Sequence, residues 1–196
     1  MKELEAMNVL LRAIGSSPVN SLETPHPDAA NAKATLKRLR LQAQSRGWWF
    51  NIDYNVTFTQ NEVGEIEVPS YISSIRMLDR NYVKRGGKIY DNVNQTYIIN
   101  RDLIAERTIR MVGWDELPQS MQSYITYFAA SQFIQDELED PSKTAHYQEA
   151  AGQAMLDVKK QDLEEGQYNM FDRPKFRQNR AGIRPYSQVL GHRIIQ

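Results

Sequence analysis

The chain has 196 residues, with 24 Lys and Arg, 24 Asp and Glu, three His and no Cys. That length suits one compact domain or two small ones, and a composition 41% hydrophobic and 10% aromatic can bury a core. Without Cys, disulfide scaffolds, zinc ribbons, iron–sulfur clusters and thiol catalysis are excluded. The formal net charge of zero hides an asymmetry: residues 173–196 hold six basic residues and no acid, so residues 1–172 carry eighteen basic against twenty-four acidic residues. Blocks of this kind mark interaction tails.

Residues 3–14 predict a helix, because Leu4, Met7, Leu11 and Ile14 recur at three or four residues and Gly15 stands where a helix stops. Ser16 to Pro27 is a connection rich in proline and small polar residues. Pro27-Asp28 opens a second helix, with Ala29, Ala32, Leu36, Leu39 and Ala43 on its apolar side and Gly47 closing it. From Trp48 to about Val112 the residues favour strands. Val56–Thr59 and Glu65–Val68 alternate, and Tyr82–Lys84 and Lys88–Tyr90 flank Arg85-Gly86-Gly87, the composition of a tight hairpin. Thr96–Ile99 and Thr108–Val112 supply two more strands, while Ser70–Arg80 fits a strand or a short helix.

Helical periodicity returns at Pro118. Met121, Ile125, Phe128 and Gln132 share one side, and Tyr124, Tyr127, Ala129 and Phe133 widen it, which predicts burial by several neighbours. Asp140-Pro141 ends this helix and starts another, carried by Ala145, Gln148, Ala151, Met155, Val158 and Leu163 to Gly166. The expected fold class is therefore α+β: a four-helix bundle-like body (1–47 with 114–166), an inserted antiparallel β module (48–113) and an extended basic tail (167–196).

Little in the sequence points to catalysis. Neither a dinucleotide nor a P-loop glycine pattern occurs. His26, His146 and His192 stand in separate segments without a partner at metal-ligand spacing, and no cofactor is expected. The acids Asp136, Glu137, Glu139 and Asp140, and Asp162, Glu164 and Glu165, sit at expected helix ends, where carboxylates are commonly just solvated. No apolar run is long enough to span a bilayer, and the acidic start is unlike a signal peptide, so synthesis in a cytoplasm is expected.

Two basic features remain. The second helix carries Lys33, Lys37, Arg38, Arg40 and Arg46 with no acid from Ala29 to Ile52, and Lys33, Lys37 and Arg40 are its candidate contacts with DNA or a partner. A solvated face, an acidic partner and phosphates are the open readings. The tail mixes its arginines with Phe176, Ile183, Tyr186 and Val189, which suits docking on a protein better than a plain phosphate-binding arm. Its candidate partner-binding residues are Arg177, Arg180, Arg184 and Tyr186. Trp48-Trp49-Phe50, directly after Gly47, fits an anchor between helices and strands, with base stacking as the alternative.

The stretch from Met7 to Val19 (MNVLLRAIGSSPV) resembles the opening of the tail tubular protein A family, the adaptors or gatekeepers of short-tailed bacteriophages. The resemblance continues through Asp28–Ala32, Gln44–Asn51, Trp114–Pro118, Ala130–Phe133 and Tyr168–Phe171. It implies a structural virion protein forming a dodecameric ring beneath the portal. The ring would join the portal to the nozzle (tail tubular protein B), help to hold the tail fibres and let double-stranded DNA pass during ejection. In such adaptors the helices face the portal and the β module faces the nozzle. The alternatives from other classes are a nucleic-acid-binding regulator and a virion-associated polysaccharide hydrolase.

Overall fold

The computed structural model describes residues 1–166, which form four helices and five strands. The fold is α+β. Helix α1 (Glu3–Ala13) and helix α2 (Pro27–Gln44) come first, followed by strands β1 (Ile52–Phe58), β2 (Ile72–Met77), β3 (Tyr82–Arg85), β4 (Lys88–Asp91) and β5 (Leu103–Arg110). A short 3-10 turn, Trp114–Glu116, leads into α3 (Gln119–Glu137) and α4 (Pro141–Glu165).

The helices end where the sequence punctuates them. Gly15 and Gly47 adopt φ of +82° and +78°, the left-handed conformation that stops a helix. Asp140 caps α4, its carboxylate accepting from the Ser142 and Lys143 amides at 3.0 and 3.1 Å. Helix α3 is the hub and packs against α1, α2 and α4. This explains why its apolar surface is broad: Met121, Ile125, Ala129, Ala130, Phe133 and Ile134 are all buried, on more than one side.

Helix α4 departs from its expected stripe. Ala151, Ala154 and Val158 are buried, but Ala145, Gln148 and Leu163 are exposed. The physical reason is that α4 has one main neighbour. A helix covered on one side needs only a narrow seam, and the rest of its periodic apolar positions are left in solvent.

The strands are antiparallel throughout. One sheet has the order β1-β5-β2, and β3-β4 is a separate hairpin. Arg85 pairs with Lys88 across Gly86 and Gly87, at φ +57° and +81°, as the Gly-Gly pair requires for its tight turn. The undecided segment 70–80 contains β2. Its register against β5 shifts between Arg76 and Met77, leaving Glu106 as the extra residue of a bulge. The expected strands Glu65–Val68 and Thr96–Ile99 are reduced to single bridges, Glu65 to Ile98, Glu67 to Lys88 and Asp91 to Thr96. Positive φ at Gly64, Gln95 and Asn100 bends the backbone out of an extended run on either side.

Two sets of buried side chains result. One joins α1, α2, α3 and Val158 of α4 with Trp48, Trp114 and Leu117. The other lies among the strands: Phe58, Ile66, Val68, Ile72, Met77, Ile89, Leu103 and Ala105.

Candidate assembly surfaces

The joint between helices and strands is built from buried polar groups. Asn51 is fully buried; its side-chain amide donates to the Gln44 carbonyl at 3.1 Å and the Arg110 carbonyl at 2.8 Å, and its Oδ1 accepts from the Trp48 amide at 2.8 Å. Gln44, also fully buried, donates to the Val112 carbonyl and accepts from the Val112 amide. The end of α2, the start of β1 and the end of β5 are thereby tied together. Trp48 is buried and donates its ring N–H to the Ala43 carbonyl at 2.8 Å, while the Trp49 amide donates to Asp162 of α4 at 3.0 Å. The aromatic run thus sits within the joint, in an anchor's position. Sequence reasoning named these aromatics but missed Gln44, Asn51 and Asp162. The available signal was a single Asn inside an otherwise apolar run, which burial obliges to be fully bonded.

The basic residues of α2 do not act alike. Arg40 turns toward α1, where its guanidinium lies 3.6 Å from Glu3 and its side chain is only 19% exposed. Lys33 donates to the Leu22 carbonyl at 3.2 Å. Lys37 and Arg38 project from the exposed side of the helix. The three candidates follow one another along one side of α2, where Lys33 and Arg40 are held by groups of this chain and Lys37 is exposed. The tail candidates Arg177, Arg180, Arg184 and Tyr186 lie outside the described residues.

At the opposite end of the molecule the loops of the strand region gather exposed apolar side chains. β1 leaves the joint at Ile52 and reaches its far end at Phe58, which pairs with Leu103. Around that far end stand Val63, Leu78, Val93, Ile98 and Ile104, all exposed. The Leu78 amide donates to the Ile104 carbonyl at 3.1 Å, and the Gln60 amide to Asp102 at 3.1 Å, so these loops are braced. Asp91 holds the loop that carries Val93. Its carboxylate accepts from the Asn94 and Val93 amides, and these bonds, the Asn94 amide first, hold its pKa below the usual aspartate value. Lys88 is held above its ordinary range by a hydrogen bond to Glu65.

Beside this end, Arg76, Arg80 and Arg107 line a groove of about 440 Å³ with Tyr82 and Val83. Glu106 pairs with Arg80 at 3.0 Å and lies 4.0 Å from Arg76, leaving the groove with a surplus of positive charge. At the other pole, Asp136, Glu137 and Glu139 are exposed where α3 turns into α4. The Tyr124 hydroxyl, half-buried in a groove between α2 and α4, is pushed up in pKa by burial.

Among the described residues no group of three or more His, Cys, Asp or Glu is arranged to hold a metal ion, and no helix is long and apolar enough to cross a membrane. What the described surface presents is exposed apolar and charged faces on braced elements, the equipment of an assembly component. Comparison with known proteins gives that component its place. The chain matches the family model described as tail tubular protein over residues 4–179 and belongs to that family. Tail tubular protein A of Klebsiella phage KP34 is 29% identical over 154 residues, covering 77% of this chain and 81% of that protein. The chain is a structural protein of the virion tail.

Proposed function

We propose that this chain is a ring-forming tail adaptor, joining the portal to the tail nozzle and leaving a passage for double-stranded DNA during ejection. The observation that carries the reading is the polarity of the molecule. A helical body ends in an acidic turn at one pole, and braced loops bearing Val63, Leu78, Val93, Ile98 and Ile104 stand at the other. A protein that connects two different neighbours needs two chemically different ends.

In this reading the helices, from 1–47 and 114–166, form the portal-facing unit and residues 48–113 form the nozzle-facing one. The nozzle (tail tubular protein B) and the tail fibres are the partners on that side. Arg177, Arg180, Arg184 and Tyr186 dock on the portal or a neighbouring copy, and Lys37 serves a lateral contact. The balanced charge suits a conduit, since a strongly basic wall would hold phosphates through counterion release. No step of this function needs catalysis by the chain.

Negative-stain electron microscopy of the purified protein mixed with purified portal tests the reading. Rings of this protein stacked on the portal are the expected images. Free protein that ignores the portal, or that binds DNA tightly and salt-dependently without it, would favour a nucleic-acid-binding regulator. Release of sugar from host polysaccharide would favour the hydrolase.

A further inference from the structure

We infer that neighbouring copies of this chain pack side by side through two different helices: the outer ridge of α2 on one copy lies against the outer ridge of α4 on the next. The inference rests on the ring reading above and adds which faces touch.

Among the described residues, nothing in the chain covers either ridge. On α2, Ala30, Ala34, Lys37 and Leu41 are exposed, and on α4, Ala145, Glu149, Gly152 and Leu156 are exposed. Leu156 keeps 57% of its surface in solvent although it lies midway along a helix of 25 residues. In each ridge the residues follow one another at steps of four, three and four, the spacing of a two-helix seam.

The two helices also match in direction and height. Asn31 near the start of α2 reaches Glu137 at 3.4 Å, and α4 begins four residues after Glu137, so both helices start at the acidic pole. Both run toward the joint, where Trp49, just after α2, bonds Asp162 of α4. Between these ends, Leu39 and Ala43 line one groove with Met155. Leu41 and Leu156 therefore sit at the same level along the molecule, and Ala30 and Ala145 both lie eleven residues before them.

Charge supplies the choice of partner. The α2 ridge is flanked by Lys37 and Arg38, with no acid between Ala29 and Ile52. The α4 ridge holds Glu149, with Asp157 next to Leu156 and Lys160 one step beyond it, on a helix that carries five acids against three lysines. When the leucines are aligned, Lys37 falls opposite Gly152, beside which there is open space, one turn from Glu149. Arg38 falls within about a turn of Asp157. Packing α2 on α2 would instead oppose like charges. A contact between two unlike faces is heterologous, the kind that builds a ring when the rotation between copies closes.

The absence of cysteine from the chain makes the test clean. Phage particles carrying Leu41→Cys with Leu156→Cys are oxidised and the denatured protein is run on a non-reducing gel. A ladder extending beyond dimers, absent from both single variants, is the expected result, since disulfides form only across close Cα atoms. Particles that contain the double variant but give no ladder overturn the α2–α4 contact and leave the ring standing. Dimers from Leu156→Cys alone overturn it too, because they require α4 to meet α4. Infectious particles assembled without the chain overturn the adaptor reading itself. A second measurement avoids cysteines: Lys37→Glu and Glu149→Lys each lose particle yield, and the combined charge swap recovers it. Independent losses with no recovery count against the contact.

Discussion

Asn51 shows what one residue does for this molecule. It is fully buried and its side chain bonds three backbone groups from three different segments. Alanine at this position removes the acceptor of the buried Trp48 amide and a donor to two carbonyls, and a buried unsatisfied group costs about 1–3 kcal/mol. Asn51→Ala should therefore lower the melting temperature markedly in calorimetry, whereas Gln153→Ala, at an exposed position of α4, should change it little. Asp91 gives a pH signature. Its folded pKa lies below the ordinary aspartate value, so its contribution is present above that value and is lost as pH falls through the depressed folded pKa. Asp91→Asn should melt below the parent at neutral pH, and the gap should close as the pH falls through that depressed pKa. A gap that persists unchanged in acid would mean that the carboxylate charge is not what braces the Val93 loop.

Among the elements, two glycines test how the strand region is held. Gly64 has φ +83°, and a Cβ there would stand 2.1 Å from the Asn100 side-chain oxygen. Gly86 has φ +57° with open space around it. Gly86→Ala should cost only the left-handed strain, about 1 kcal/mol. Gly64→Ala adds a collision and should cost more, read as a larger drop in the urea midpoint. Helix α4 offers the opposite case. Leu163 is 68% exposed, so Leu163→Ser should change stability by no more than about 0.5 kcal/mol, measured by the same urea unfolding.

For the whole molecule, the distribution of charge frames the assembly prediction. Residues 173–196 hold six basic residues and no acid, together with Tyr186 and several aliphatic groups. Deleting them should leave the far-ultraviolet circular dichroism of the helices and strands unchanged and weaken assembly on the portal, seen by light scattering with portal added. A truncated chain that assembles normally and loses only affinity for DNA would assign the tail to phosphates instead.

Much of this was legible in the residues alone. Periodicity marked α1, α2, α3 and the existence of α4, because a helix covered on one side repeats its apolar positions every three or four residues. Gly15, Gly47, the Gly86-Gly87 pair and Asp140-Pro141 marked the breaks, because backbone conformation there is set by local sterics. The family resemblance lay in short runs such as Gln44–Asn51, and the tail tubular protein match bears it out. Pairing and exposure were decided only in three dimensions. Nothing local distinguishes Glu65–Val68, which makes single bridges, from Ile72–Met77, which makes a strand against β5. Nor does the stripe on α4 say which of its positions find a neighbour: Val158 is buried and Leu156 and Leu163 are not, because α3 covers one side of α4. Arg40 reads like Lys37 in sequence, yet α1 places Glu3 beside the one and solvent beside the other. Sequence fixes what a residue can do at its own position; which residue stands opposite is a property of the packed chain.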